Sequence, residues 1–433
     1  MNSPWTTRLD RRRIAEIARV ACDQGALADH PLVMVHDLSL MDAKMGALRE
    51  AFDPEALHAI AVKANPVVGI LRRLVEAGAG LECASIEEVA IAMRSGCPPA
   101  RIVFDSPAKT RAELGHALRL GITINADGFE ELARIAAILD AATFETVSRV
   151  GIRVNPMVGA GRIAATSVGD SVSKFGVPLQ SHQDEILAAF ERWPWLTGLH
   201  AHVGSQGCDV TLLYAAARRV QALIEAVEAR CHGRLRDVDL GGGLPTRYRD
   251  EDDAPDIEFY ARGLADICPW IAGGHPRLIT EFGRALHANC GVALSRVEYV
   301  KHHGPRPLVV LHAGADLLLR PVYNPQDWAH EFVALDADGA PKSGASSPVD
   351  LAGPLCFGGD FIGRARSLPA LEEGDIVAIR DVGAYTLSMW SRHCSRSQPP
   401  VYGWTSREAP LTLLRAGETP EGVALDWDEP RRG

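Results

Sequence analysis

The stretch Ala59-Ile60-Ala61-Val62-Lys63-Ala64-Asn65-Pro66 carries the first signal of architecture. Its four leading apolar residues form the short continuous run of a strand buried on both faces. In a doubly wound open sheet, the first strand would lead into a Gly-rich turn. Here it leads into a lysine and an Asn-Pro pair. Further along the chain, similar runs recur at 80–83, 102–104, 122–124, 150–154, 199–203, 238–240 and 278–281. Between them, segments such as Gly69-Ile70-Leu71-Arg72-Arg73-Leu74-Val75-Glu76 repeat apolar residues every three or four positions, the period of an amphipathic helix. Eight such strand–helix units are the number that closes a (β/α)8 TIM barrel. The barrel is expected over residues 31–285.

Beyond residue 290 the texture changes. Runs at 308–311, 332–335 and 376–379 are separated by turn signals such as Asp338-Gly339 and Glu373-Gly374-Asp375. Long helical patterns are absent, so a mostly antiparallel β domain is predicted over 286–433. Residues 1–30 predict a helix packing with that domain. The 433 residues are 47% hydrophobic, which excludes disorder as the main state. With 45 basic against 55 acidic side chains, the net charge of −10 offers no field to attract nucleic acid or an anionic membrane. Nine cysteines without a Cys-x-x-Cys pair suit neither a disulfide framework nor a zinc ribbon. No apolar run approaches the ~20 residues that span a bilayer, and the start lacks the apolar core of a signal peptide. The predicted location is the cytoplasm.

Barrels of this kind carry their chemistry at the C-terminal ends of the strands. Those ends hold Lys63, His202-Val203-Gly204-Ser205, Gly241-Gly242-Gly243 and Glu281-Phe282-Gly283-Arg284. Taken alone, Lys63 reads as a solvated lysine or as an amine for a Schiff base. The glycine triplet reads as a turn or as a phosphate cradle. His200 and His202 share one face of their strand, which invites a metal. Such a pair is expected on the first strand with further ligands on later ones; on the sixth strand no metal is expected. Glu281 alone is a core carboxylate paired with Arg284, although a buried Glu rarely lacks a purpose. Together these ends suit pyridoxal 5'-phosphate: a lysine to bind it, glycines for its phosphate, a ring to stack and a carboxylate for its pyridine nitrogen.

The order Ala61-Val62-Lys63-Ala64-Asn65, Ser173-Lys174-Phe175-Gly176, His202-Val203-Gly204-Ser205, Gly241-Gly242-Gly243, Glu281-x-Gly283-Arg284, Gly353-Pro354-x-Cys356 and Gly383-Ala384-Tyr385 resembles the fold type III pyridoxal-phosphate decarboxylases. The segment Leu387-Ser388-Met389 is most similar to the diaminopimelate branch. The resemblance implies a covalent link at Lys63, a Glu281 bond to the ring nitrogen and stacking by His202. It implies that Ser205, Gly241, Gly242, Gly243 and Tyr385 hold the phosphate. Gly283 and Arg284 fall in the phosphate and substrate-carboxylate region. Cys356 would cross from a second subunit to reprotonate Cα, making a homodimer with shared sites. Arg320, Tyr323 and Phe357 would meet the substrate. A racemase and a non-catalytic binding relative are the competing classes. Glu281 argues against the first, and the joint presence of Lys63, Glu281 and Cys356 against the second.

The chain departs from the family at three points. Phe282 replaces a Pro after the Glu, a harmless change; the other two bear on substrate. His312-Ala313-Gly314 stands where Asp-Ala-Gly is usual. Phe357 replaces the acid that follows the Cys and meets a distal ammonium in relatives. A buried unpaired ammonium costs on the order of 3–5 kcal/mol. With Arg320, Arg392, His393 and Arg396 nearby in sequence, the expected substrate is an amino acid with an anionic far end, such as a glutamate-like or citrate-conjugated one. The alternative is meso-diaminopimelate, or an ornithine or lysine type, with Asp316 or Asp360 taking over the ammonium.

Overall fold

Every apolar run marked above becomes a strand in the computed structural model, which describes residues 3–163, 167, 169 and 173–428. Strand β1 (Leu32–Asp37) comes first in the chain and pairs outside the barrel. The barrel strands are β2 (Leu57–Ala61), β3 (Gly80–Cys83), β4 (Ile102–Phe104), β5 (Thr123–Ala126) and β6 (Val150–Asn155). After a two-residue β7 (Val177–Pro178), they continue with β8 (Leu196–His200), β9 (Asp237–Asp239) and β10 (Arg277–Thr280). Their order is β5-β4-β3-β2-β10-β9-β8-β6, and β5 pairs with β6 to close the ring. All eight run parallel, and each is followed by the helices that cover it.

Leu57, Ala59, Val103 and Ile279 pack together with no more than 6% exposure, so the lower barrel is filled by side chains. The outer helices form where sequence signals say they should. Thr110 and Glu113 make a reciprocal capping box for the helix Arg111–Leu120, and Gly121 ends it in the left-handed region at φ +75°. One apolar stripe, Leu114, Ala117 and Leu118, is buried.

The second unit comprises residues 7–41, 247–252 and 287–433. It is built on β11 (Gly291–Lys301), β12 (Leu308–Leu311), β13 (Phe332–Leu335), β14 (Ser347–Ala352), β15 (Phe361–Leu368), β16 (Ile376–Arg380), β17 (Val401–Trp404) and β18 (Thr412–Arg415). The sheet order is β15-β14-β12-β11-β1-β17-β18, with β16 joining β11 to β13. Pairing is mostly antiparallel; β1–β17 and β12–β14 are the parallel exceptions. The N-terminal boundary therefore differs from the expected residue 31. Strand β1 is apolar and short like a barrel strand, but its partners β11 and β17 lie some 260 to 370 residues away, which local periodicity does not reveal. No helix among the described residues is long and apolar enough to cross a membrane.

Candidate active site

Strand register sets the site. Arg153 on β6 pairs with His200 on β8, and His200 pairs with Asp239 on β9, so three polar residues lie at one height. Lys63 follows β2 in a short 3-10 turn (Val62–Ala64). Its Nζ donates to Glu82 Oε1 at 2.6 Å. Glu82, fully buried on β3, has no water to support its charge. Burial first, and then the neighbouring Asp105 charge, push its carboxyl well above the usual range, with Lys63 opposing. Asp105 follows β4. Burial would raise it too, but Lys63, a hydrogen bond with Glu82, His200 and Arg153 together hold it low.

Glu281, one residue past β10, lies between two imidazoles. His202 Nδ1 is 3.2 Å from its Oε2, and His200 Nε2 is 3.6 Å from its Oε1. Burial and the Asp105 charge push Glu281 up to about 7, while Lys63, Arg153 and a bond with Asp239 pull the other way. Burial lowers His202 to about 4, and it lowers His200 as well, so both rings are neutral near neutral pH. Asp239 Oδ1 accepts the Gly241 N–H at 2.9 Å, which ties the glycine loop to the strand end. Arg284 Nε donates to Ser205 Oγ at 3.0 Å. Gly283 beside it is buried.

The residues fit pyridoxal phosphate. A Cβ on Gly241 would meet His202 Nδ1 at 2.5 Å, and one on Gly242 the Glu281 carbonyl oxygen at 2.4 Å. Gly243 has φ +99° and would strike Gly204 O at 2.7 Å. Only glycine fits there, and a side-chain-free loop lets an anion reach backbone N–H groups. Glu281 Oε1 is a buried acceptor without a hydrogen-bond partner. Such an atom in a cluster of this polarity marks a place for a ligand's donor. His200, His202 and Glu281 also have donor atoms within 4.8 Å of one another, close enough to hold a cation.

The second unit holds the remaining sequence-predicted residues. Cys356 is exposed in a loop tied down by Asp360, whose oxygens accept the N–H groups of Ala315 at 2.6 Å and Leu355 at 2.8 Å. Phe357 stacks on Tyr323, with centroids 5.5 Å apart and planes 14° from parallel. The Arg320 guanidinium sits over Trp328 at 4.7 Å and over Tyr385 at 5.0 Å. Asp316 Oδ1 accepts from Gly314 and Leu317, and its Oδ2 lies 3.8 Å from Arg396 Nε. Sequence reasoning missed Glu82, Asp105, Arg153 and Asp239. Each is a charged residue within or one step past an apolar strand run, and that anomaly was the available signal.

Residues 38–288 match the family described as pyridoxal-dependent decarboxylase, pyridoxal binding domain. A diaminopimelate decarboxylase of Zymomonas mobilis is 35% identical over 357 residues, 81% of each chain. One of Pseudomonas aeruginosa is 35% identical over 348 residues, covering 79% of this chain and 80% of its own. Among solved structures, diaminopimelate decarboxylase of Helicobacter pylori complexed with L-lysine superposes with a TM-score of 0.81. It is 28% identical and covers 92% of this chain and 96% of its own. The corresponding M. jannaschii complex with L-lysine reaches 0.84 at 27% identity, covering 96% and 94%. The lysine, the acid-and-imidazole cluster and the glycine cradle thus have their explanation: the chain belongs to the pyridoxal-dependent decarboxylases of the ornithine, arginine and diaminopimelate type, amino-acid carboxy-lyases that work with pyridoxal 5'-phosphate.

Proposed function

We propose that the chain removes one carboxylate from meso-diaminopimelate. The observation that carries this reading is the one-third identity, over four-fifths of the chain, to proteins named for that activity. In the single chain Phe357 is 36% exposed and Tyr323 beside it 61%, so the case against a diamine-type substrate holds only where a second subunit buries this loop.

The cofactor's contribution is to accept the electron pair left at Cα when carbon dioxide departs. The chain's residues prepare that step. Lys63 would anchor the cofactor through Nζ, which Glu82 positions by accepting from it at 2.6 Å. Glu281 would hold a proton at the pyridine nitrogen, and His202 would lie against the ring. Ser205, Gly241 to Gly243 and Tyr385 would bind the phosphate. Arg320 would clamp a substrate carboxylate as a rigid fork. Cys356 would return a proton to Cα from a second subunit of a homodimer.

A second reading, an amino acid with an anionic far end, is favoured by one observation. The loop after Cys356 presents a Phe357–Tyr323 stack and no acid until Asp360, whose two oxygens already bind backbone N–H groups. Carbon dioxide release across a panel of amino acids decides: efficient turnover of meso-diaminopimelate supports the first reading, and turnover confined to acidic-tailed substrates replaces it. Mixing inactive Lys63→Ala with inactive Cys356→Ala subunits tests the dimer. Random exchange places half the pairs as hybrids with one intact site each, so about a quarter of wild-type activity should return. No recovery after confirmed exchange refutes the shared site.

A further inference from the structure

His200 ends β8 fully buried, and the cofactor assignment above leaves it without a task. Its Nε2 lies between two acids, 3.6 Å from Glu281 Oε1 and 3.8 Å from Asp105 Oδ2. Neither distance is a hydrogen bond. Both ring nitrogens lack a hydrogen-bond partner, and so does Glu281 Oε1. A shift of a few tenths of an ångström in either carboxylate closes one contact and leaves the other open. The titratable or charged groups around the ring include Lys63 after β2, Asp105 after β4, Arg153 on β6, His202 two residues on, Asp239 in register on β9, and Glu281 after β10. Burial above all keeps the imidazole neutral, so it has a single N–H to give.

We propose that His200 is a positioning residue that gives its one N–H to either Glu281 or the ionised Asp105, and so sets how readily Glu281 gives up its own proton. The inference rests on the assignment of Glu281 to the cofactor's ring nitrogen. An N–H donated to Glu281 stabilises its carboxylate form, which keeps the proton on the ring nitrogen. An N–H donated to Asp105 favours the competing anion and leaves Glu281 to take up a proton itself. Arg153, paired with His200 in register and 3.8 Å from Asp105, draws Asp105 in the same direction as His200 does. The choice is therefore between two nearly balanced contacts, as a switch requires.

The test follows the visible absorbance of the bound cofactor against pH in the holoenzyme. His200→Ala removes the N–H, making Glu281 a weaker acid. Its spectral midpoint should rise by about one pH unit, a tenfold change in proton affinity. His200→Gln, which keeps an N–H at similar reach, should restore the midpoint toward wild type. Glu281→Gln should abolish the transition. If Glu281→Gln leaves the transition intact, the assignment of Glu281 is wrong and this inference falls with it. If Glu281→Gln abolishes the transition but His200→Ala leaves the midpoint in place, Glu281 stands and the role of His200 is overturned. Should His200→Ala fail to fold, the same titration on His200→Asn, whose shorter amide cannot reach both acids, takes its place: a raised midpoint supports the role of His200, and an unmoved one overturns it.

Discussion

Two buried ionic clusters in this protein are built on opposite plans. In the second unit, Arg8 reaches Asp381 and Asp250, donates to Glu331 at 2.8 Å and to the Tyr248 carbonyl at 2.7 Å, while Asn289 adds a donor to Asp381. No buried nitrogen or oxygen of Arg8, Asp381, Glu331 or Asn289 is left without a partner. At the barrel end, four buried acids, Glu82, Asp105, Asp239 and Glu281, face Lys63, Arg153 and two neutral imidazoles. There Glu281 Oε1 and both nitrogens of His200 have no hydrogen-bond partner. A cluster that only holds the chain together closes most of its bonds; here the exception is Arg380 Nε, beside the shared Glu331. One that serves a ligand keeps buried acceptors open as well.

Cutting each cluster at its central cation puts this contrast under the heaviest load. Lys63→Ala should remove cofactor binding. The purified variant should be colourless after dialysis, and carbon dioxide release should fall by about 10³- to 10⁴-fold. Stability should fall less than in the Arg8 variant below, because the Lys63 side chain is 36% exposed and the Glu82 carboxyl opposite it is pushed toward its neutral form. A retained visible band would sink the anchor assignment. Arg8→Met should do the reverse. It strands Asp381, whose side chain is 1% exposed, and removing one member of a buried pair costs about 3–5 kcal/mol. The urea midpoint should drop accordingly, while turnover per folded molecule holds. A loss of turnover without a loss of stability would mean that the Arg8 cluster is not merely structural.

What the sequence made legible follows from the same physics. Eight barrel strands were readable because each is a short apolar run between amphipathic segments, a local signal. Strand β1 looked the same locally, and its membership in the other sheet is set by partners far along the chain. Lys63, the glycine triplet, His202 and Glu281 stood out because each breaks the composition at a strand end. Asp105 and Arg153 break it too, but their meaning lies in distances between strands: Arg153 to Asp105, and Asp105 to His200. A single sequence carries no such distances. Reading Phe357 as a wall against an ammonium assumed, in the same way, a burial that only coordinates can give.

A smaller effect probes the two plans through pH. Glu281 is held at about 7 in the folded apoprotein, against an ordinary value of 4.5. Between those values the folded chain keeps a proton that the unfolded chain has released, so this group's contribution to stability falls as pH rises through the window. His202, lowered from 6.5 to about 4, acts in the opposite sense: its unfolded form binds the extra proton, and stability rises with pH there. The measurement is therefore a difference. Urea unfolding of apoprotein across the window should show wild type losing stability relative to Glu281→Gln as pH rises. Parallel curves would mean that Glu281 ionises normally, and the barrel cluster would then resemble the Arg8 cluster after all.

The smallest expected effect concerns Phe357 in the second unit, where neither plan applies. In the single chain it is partly exposed and stacked on Tyr323, so a charge placed there stays hydrated and pairs weakly unless a second subunit covers it. Phe357→Glu would add an acid in the position that meets a distal ammonium in the relatives implied by the resemblance. A surface ion pair is worth about 0–1 kcal/mol, hence at most about fivefold in kcat/KM for meso-diaminopimelate. Loss of the stack with Tyr323 works against that gain, at about 0.5–1.5 kcal/mol for an aromatic pair, and less where both rings are wet. The two nearly cancel, so the variant should fall within about fivefold of wild type on meso-diaminopimelate and lose ground on any substrate with an anionic far end. A rise of a hundredfold or more would instead require the ammonium to be desolvated when bound. Such a rise would restore the anionic-tail reading for the native enzyme, because only a buried site makes the native Phe357 so costly to a diamine.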